Sequence, residues 1–159
     1  MPVEVYLRTT YPDTDREYRD GDVLERTLPD YLHGKTQMLL LLFFGALRQS
    51  LSIFPCSEVR MKLREGLYLI PDVAVFHGVE PSEIPDVPPL IVIEILSPDD
   101  RLTQVRYKLD EFRRWGVAHV WLVDPLGRHL YSYESGLQEV DSLQVPELAV
   151  ELGSKDVFE

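Results

Sequence analysis

The sequence predicts a mixed α/β fold, a sheet containing both parallel and antiparallel strands and flanked by helices. Three observations predict it. Leu90–Leu96, Arg101–Trp115 and Val117–Val123 read as strand, helix and strand, the order of a parallel crossover. Two pairs of strand-like segments are joined by short Gly-containing loops, as in antiparallel hairpins. A long apolar segment with helical character, Tyr31–Leu51, supplies a layer to cover the sheet.

Taken in order, Val3–Arg8 alternates polar and apolar residues and is expected as a strand, and Val23–Thr27 as another after the turn Asp20-Gly21. Helix is expected from Tyr31 to Leu51. Ser57–Leu63 and Tyr68–Phe76 form a predicted hairpin around Arg64-Glu65-Gly66. The Pro-rich loop Pro81–Pro89 leads into the strand Leu90–Leu96. Ser97-Pro98-Asp99-Asp100 ends that strand and offers N-cap residues for the next helix, which Gly116 closes. After Val117–Val123 comes the turn Asp124-Pro125-Leu126-Gly127, then a hairpin of Arg128–Glu134 and Leu137–Val140 around Ser135-Gly136.

A length of 159 residues fits one domain over residues 1–159 with a single sizeable core. Hydrophobic residues at 45% and charged residues at 27% are those of a soluble globular protein. The N-terminus lacks a basic segment and a small-residue cleavage site, so no secretory signal is expected. Cys56 is the only cysteine, which excludes an internal disulfide and fits a reducing, cytoplasmic compartment. The ten-residue apolar run Met38–Leu47 is too short for a bilayer, which needs about 20 residues, and fits a buried helix or a homodimer interface. A formal net charge of −11 argues against gripping nucleic acid through a basic face, while leaving room for a site where a bound cation offsets acid charge.

The chemistry centres on Glu94. It is the one ionisable residue in Leu90–Leu96, a strand otherwise apolar enough to be buried on both faces. A carboxylate there needs a cation, hydrogen bonds, a metal or a proton. Asp72 lies near the start of another apolar strand, and two carboxylates converging at one sheet position would repel unless a divalent cation sat between them. Lys108 borders the apolar stripe of Val105, Leu109 and Phe112, so its long stem can cross the core edge and bring the ammonium to the strand. Two acids and a lysine suffice for metal-assisted hydrolysis of a phosphodiester. Spacing alone supports equally a structural Glu94–Lys108 ion pair, with Asp72 a turn residue after Pro71.

Other constellations point nowhere in particular. His33, His77, His119 and His129 lack metal-ligand spacing, and there is no Gly-rich phosphate loop or nucleophile elbow. Trp115 and Trp121 are expected to pack the core. Arg101, Arg106, Arg113 and Arg114 are interleaved with Asp99, Asp100, Asp110 and Glu111, the pattern of a solvated helix face.

The succession Pro71-Asp72, Ile91–Pro98 with Glu94, Lys108, Gly116-Val117 and Trp121–Asp124 resembles the Uma-two family of restriction-endonuclease-like proteins in the PD-(D/E)XK superfamily. Upstream, Glu17 four residues before Gly21 and the run Pro29–His33 extend the resemblance, which covers about Asp15 to Tyr133. It implies a restriction-endonuclease-like sheet and a Mg²⁺- or Mn²⁺-dependent endonuclease acting on DNA. Asp72 and Glu94 would be the metal-binding acids, with the Ile95 carbonyl completing the shell. The superfamily's lysine two residues after the glutamate is replaced by Leu96, and in this family the lysine moves to the helix, here Lys108. Glu17 and His33 would be accessory site residues. Gln104 stands where the family often has an acid, four residues before the lysine. The alternative is a non-catalytic binding or regulatory module that keeps the fold and uses Glu94–Lys108 as a structural pair.

Overall fold

The structure, a computed structural model, describes residues 1–12 and 14–159. Along the chain run α1 (Val3–Arg8), β1 (Arg16–Arg19), β2 (Asp22–Glu25), α2 (Tyr31–Gly45), α3 (Arg48–Leu51), β3 (Ile53–Ser57), β4 (Met61–Arg64), β5 (Leu67–Leu69) and β6 (Val73–His77). Then come β7 (Ile91–Ile95), α4 (Leu102–Trp115), β8 (His119–Asp124), β9 (His129–Tyr133), β10 (Leu137–Val140), β11 (Ser142–Val145), a 3-10 turn at Pro146–Leu148, β12 (Val150–Gly153) and α5 (Ser154–Phe158).

The main sheet has six strands in the order β10-β9-β8-β7-β6-β3. Only β7 and β8 pair in parallel, joined by α4, and the remaining pairs are antiparallel. A second antiparallel sheet, β2-β1-β5-β4, stands beside it, and β11 and β12 form a separate hairpin. The expected mixed architecture is therefore present.

All five residues of β7 are buried. The pleat sends Ile91, Ile93 and Ile95 into a core shared with Leu40 and Phe44 of α2 and with Val157 and Phe158 of α5. Val92 points the other way, into a core with Leu109 and Phe112 of α4. By the same alternation Glu94 shares the face of Val92, the α4 side. Gly116 ends α4 in the left-handed region, φ 113°, and lets the chain turn back into β8.

Several boundaries differ from expectation. Val3–Arg8 is a helix, because Val3, Tyr6 and Leu7 also satisfy spacings of three and four, and all three pack with Tyr18 and Tyr68. The stretch Tyr31–Leu51 is broken after Gly45 into α2 and α3. Ser57–Leu63 divides near Glu58, whose φ is 54°, sending β3 and β4 to different sheets. Tyr68–Phe76 divides at Pro71, which has no N–H for a ladder, so β5 and β6 also part. The run Met38–Leu47 is not buried all round: Leu40 and Phe44 are, whereas Met38 and Leu42 are exposed. No helix among the described residues is long and apolar enough to cross a membrane.

Candidate functional site

The site forms where β7 leaves the main sheet and the small sheet closes over it. The antiparallel register of β6 and β7 pairs Val73 with Ile93, and one further step places Asp72 opposite Glu94. Pro71 ends the preceding strand and frees Asp72 from the ladder, so that its carboxylate turns to Ile95, whose N–H donates to Oδ2 at 2.7 Å. Gln37 of α2 fixes the same peptide by donating to the Asp72 carbonyl at 2.9 Å.

Glu94 is 7% exposed and faces α4. Lys108, in the middle of α4, brings its ammonium to 2.9 Å from Glu94 Oε1. Oε1 is fully enclosed, and this ammonium is its charge partner. The ammonium also lies 2.8 Å from Glu17 Oε2 and donates to the Ile70 carbonyl at 3.1 Å. Glu17 arrives on β1 of the small sheet and is locked by the Ile70 N–H, 2.7 Å from the same oxygen. One cation thus holds two acids from two sheets.

A second cation serves the third acid. Arg26, just beyond β2, donates from Nη2 to Asp72 Oδ1 at 3.1 Å and from Nη1 to Glu58 at 3.2 Å. His33 Nε2 stands 3.1 Å from the same Asp72 oxygen. The ring is delivered by the first turn of α2, where Asp30 caps the helix by accepting from the His33 N–H at 3.0 Å.

These contacts decide the charge states. Burial pushes the Glu94 carboxyl well up, and Lys108, shared with Glu17, only partly offsets that rise. Burial also acts on Asp72, but there the His33 hydrogen bond and the nearby positive charges win and hold it at about 2. Lys108 loses solvation, yet Glu17 and Glu94 outweigh that loss and raise its pKa, so it stays an ammonium at neutral pH. His33 is raised as well, since its Asp72 partner overcomes desolvation.

The cluster opens into a cleft of about 730 Å³. Gln104 lines it from the exposed first turn of α4. Glu17, His33, Asp72, Glu94, Ile95, Lys108 and Gln104, singled out in the sequence, all border this one cavity. Arg26 was not anticipated. Its only sequence signal is that it shares strand phase with Leu24, another cleft residue, two positions earlier. Arg19, stacked 4.2 Å from the centre of the Tyr107 ring, is likewise a cleft residue without a motif. Among the described residues no group of three or more His, Cys, Asp or Glu side chains is gathered to hold a metal.

Comparison with known proteins gives the family and the fold. A family model, Uma2, described as "Putative restriction endonuclease", matches residues 3–158. Among solved structures, the chain is similar to a "putative nuclease belonging to DUF820" from Anabaena variabilis ATCC 29413, with a TM-score of 0.86. At 22% identity over 99% of this chain and 97% of that one, the likeness is one of fold. Comparison with curated proteins gives no match. With its family pattern matched across nearly its whole length, the chain belongs to the Uma2 family.

Proposed function

We propose that this protein is a Mg²⁺- or Mn²⁺-dependent endonuclease that hydrolyses DNA phosphodiester bonds. The observation that carries the reading is the meeting of Asp72 and Glu94 at one register position of adjacent strands, beside a lysine and open to a cleft. The family description and the fold of the Anabaena protein support it.

The residues present fit a hard divalent cation. Asp72 and Glu94 are oxygen donors of the right class, and Mg²⁺ is usually held by only one or two carboxylates, with water and substrate completing its shell. The absence of a three-residue cluster is therefore no obstacle. Glu94 Oε1 has the Lys108 ammonium 2.9 Å away, so a bound cation would share this carboxylate with the lysine. Asp72, Glu94 and the Ile95 carbonyl would hold the ion, which when bound polarises the phosphate and acidifies a water.

The chain's own groups supply the remainder. Lys108 acts as a hydrogen-bond donor and a fixed positive charge, since its raised pKa rules it out as a base at neutral pH. It is placed to orient the attacking water or to stabilise the developing oxyanion. Glu17 anchors that ammonium from the small sheet, and His33 fixes the rotamer of Asp72. Val92 and Leu122 flank Glu94 in the apolar core on the α4 side.

A second reading has one observation in its favour: both oxygens of Asp72 are already partnered, by Arg26 and His33 and by the Ile95 N–H. A non-catalytic module would keep these pairs permanently. Calorimetric titration with Mn²⁺ on the wild type and on Asp72→Ala separates the two. Binding that disappears in the variant, together with cleavage of supercoiled DNA in preference to RNA, is expected. Absence of heat in the wild type at millimolar metal would sink the nuclease reading.

A further inference from the structure

Arg26 needs an explanation that ion pairing alone does not give. Its side chain is 11% exposed, yet it lines the open cleft rather than a closed core. Of its two partners, Glu58 is 40% exposed and could be solvated by water instead, whereas Asp72 is 7% exposed. The guanidinium thus bridges the buried acid that faces Glu94, at 3.1 Å, and the more exposed Glu58, at 3.2 Å. Asp72 Oδ2 accepts the Ile95 N–H, and Oδ1 is the oxygen that Arg26 and His33 crowd.

Resting on the nuclease reading above, we infer that Arg26 is the resident cation of Asp72, a guanidinium that must swing away before a divalent ion can enter, and that it thereby sets how tightly the cleft takes metal. A positive group 3.1 Å from Oδ1 occupies the space and the charge that the ion requires. Glu58 gives the displaced side chain a partner, since Nη1 already contacts it and need not let go. The exchange swaps one cation for another on the same carboxylate, so Asp72 stays ionised and buried without ever being uncompensated. Arg19 and Arg101 line the same cleft without pairing with Asp72; His33 also stands 3.1 Å from Oδ1, but its other ring nitrogen has no hydrogen-bond partner among the described residues to receive it on displacement.

The test is Mn²⁺ calorimetry on wild type, Arg26→Gln and Arg101→Gln, with circular dichroism confirming that each variant folds. Arg26→Gln is expected to bind Mn²⁺ at least tenfold more tightly than wild type, and Arg101→Gln within threefold of it. Equal gains in both variants would show a general field effect and overturn the inference, as would an unchanged or weaker affinity in Arg26→Gln. If wild type gives no Mn²⁺ binding, the metal reading itself fails. If both bind equally, only the role of Arg26 falls. Should Arg26→Gln not fold, the wild type still decides: arginine Nε NMR during Mg²⁺ titration should show the Arg26 resonance moving as the metal saturates. A resonance that stays fixed while Mg²⁺ binds would refute the exchange.

Discussion

Replacing Glu94 by glutamine tests whether its charge stabilises the fold or is carried at a cost. Lys108 sits 2.9 Å from Glu94, and at an effective dielectric of 20 such a pair attracts by about 6 kcal/mol. Against this stands the desolvation of a carboxylate, several kcal/mol at a buried site, and repulsion from Asp72 and Glu17, both of which raise the Glu94 pKa. The gain and the costs are of similar size, and the raised pKa shows that the costs win. Nor would Lys108 be stranded by the change, because Glu17 remains 2.8 Å away. Glu94→Gln is thus expected to match wild type within about 1 kcal/mol near pH 4, where the native carboxyl is as uncharged as the amide, and to be the more stable of the two in metal-free protein at pH 7. Urea unfolding in the presence of EDTA measures it. The pH dependence gives a second reading. A carboxyl whose folded pKa is raised keeps its proton in the native state while the unfolded chain releases it above about 4.5. Its contribution is fully present below that value and is lost as pH rises through the folded pKa, by up to about 1.4 kcal/mol per pH unit. The stability difference between wild type and variant should follow this slope. A loss of 3 kcal/mol or more in Glu94→Gln at pH 7, or a difference independent of pH, would refute the reasoning and restore the structural ion pair.

Other expectations follow from the same cluster. Lys108→Met removes the cation between Glu17 and Glu94 and is expected to cost about 3–5 kcal/mol at pH 7, read by the same unfolding assay. Asp72→Asn should abolish Mn²⁺ binding. It should also remove the loss of stability that wild type shows as pH falls from 3.8 towards about 2, the window set by its depressed pKa, measured as an acid-unfolding curve. Gly66→Ala places a Cβ 2.6 Å from Asp20 Oδ1 at φ +80° and should lower stability by about 1–3 kcal/mol in thermal or urea unfolding.

The strand, helix and strand around Glu94 were legible because burial and period speak directly in sequence: six apolar residues with one acid over Leu90–Leu96, then a stripe at spacings of three and four. The pairing of Asp72 with Glu94 was legible only as a conditional, since nothing local states that β6 and β7 are neighbours or in which register. Arg26 was invisible for a related reason. It lies 46 residues from Asp72, and the contact exists only because the small sheet folds over the large one. The division of Tyr68–Phe76 at Pro71 was available from the missing N–H. Reading that segment as one strand hid the fact that two sheets meet there, and Glu17 and Lys108 both bind the peptide at Ile70 that joins them.

The net charge of −11 raised an objection to a nucleic-acid substrate, and the cleft turns it into a prediction. Glu17, Glu25, Glu58, Asp72, Glu94 and Asp100 line the cavity against Arg19, Arg26, Arg101 and Lys108, so acids outnumber strong bases six to four. Of those bases, Arg26 and Lys108 are already engaged with carboxylates. A phosphodiester approaching the metal-free protein therefore meets a surface that repels it, and the usual basic footprint cannot supply affinity. One divalent cation on Asp72 and Glu94 would bring this balance to neutral. Nucleic-acid binding should then depend on metal in an all-or-none way rather than being merely enhanced by it. Fluorescence anisotropy with a labelled DNA duplex should show no binding in EDTA at micromolar protein, and should show binding once Mn²⁺ saturates the site. Comparable affinity with and without metal would mean that DNA docks elsewhere on the surface, and that the cleft is not where the substrate is held.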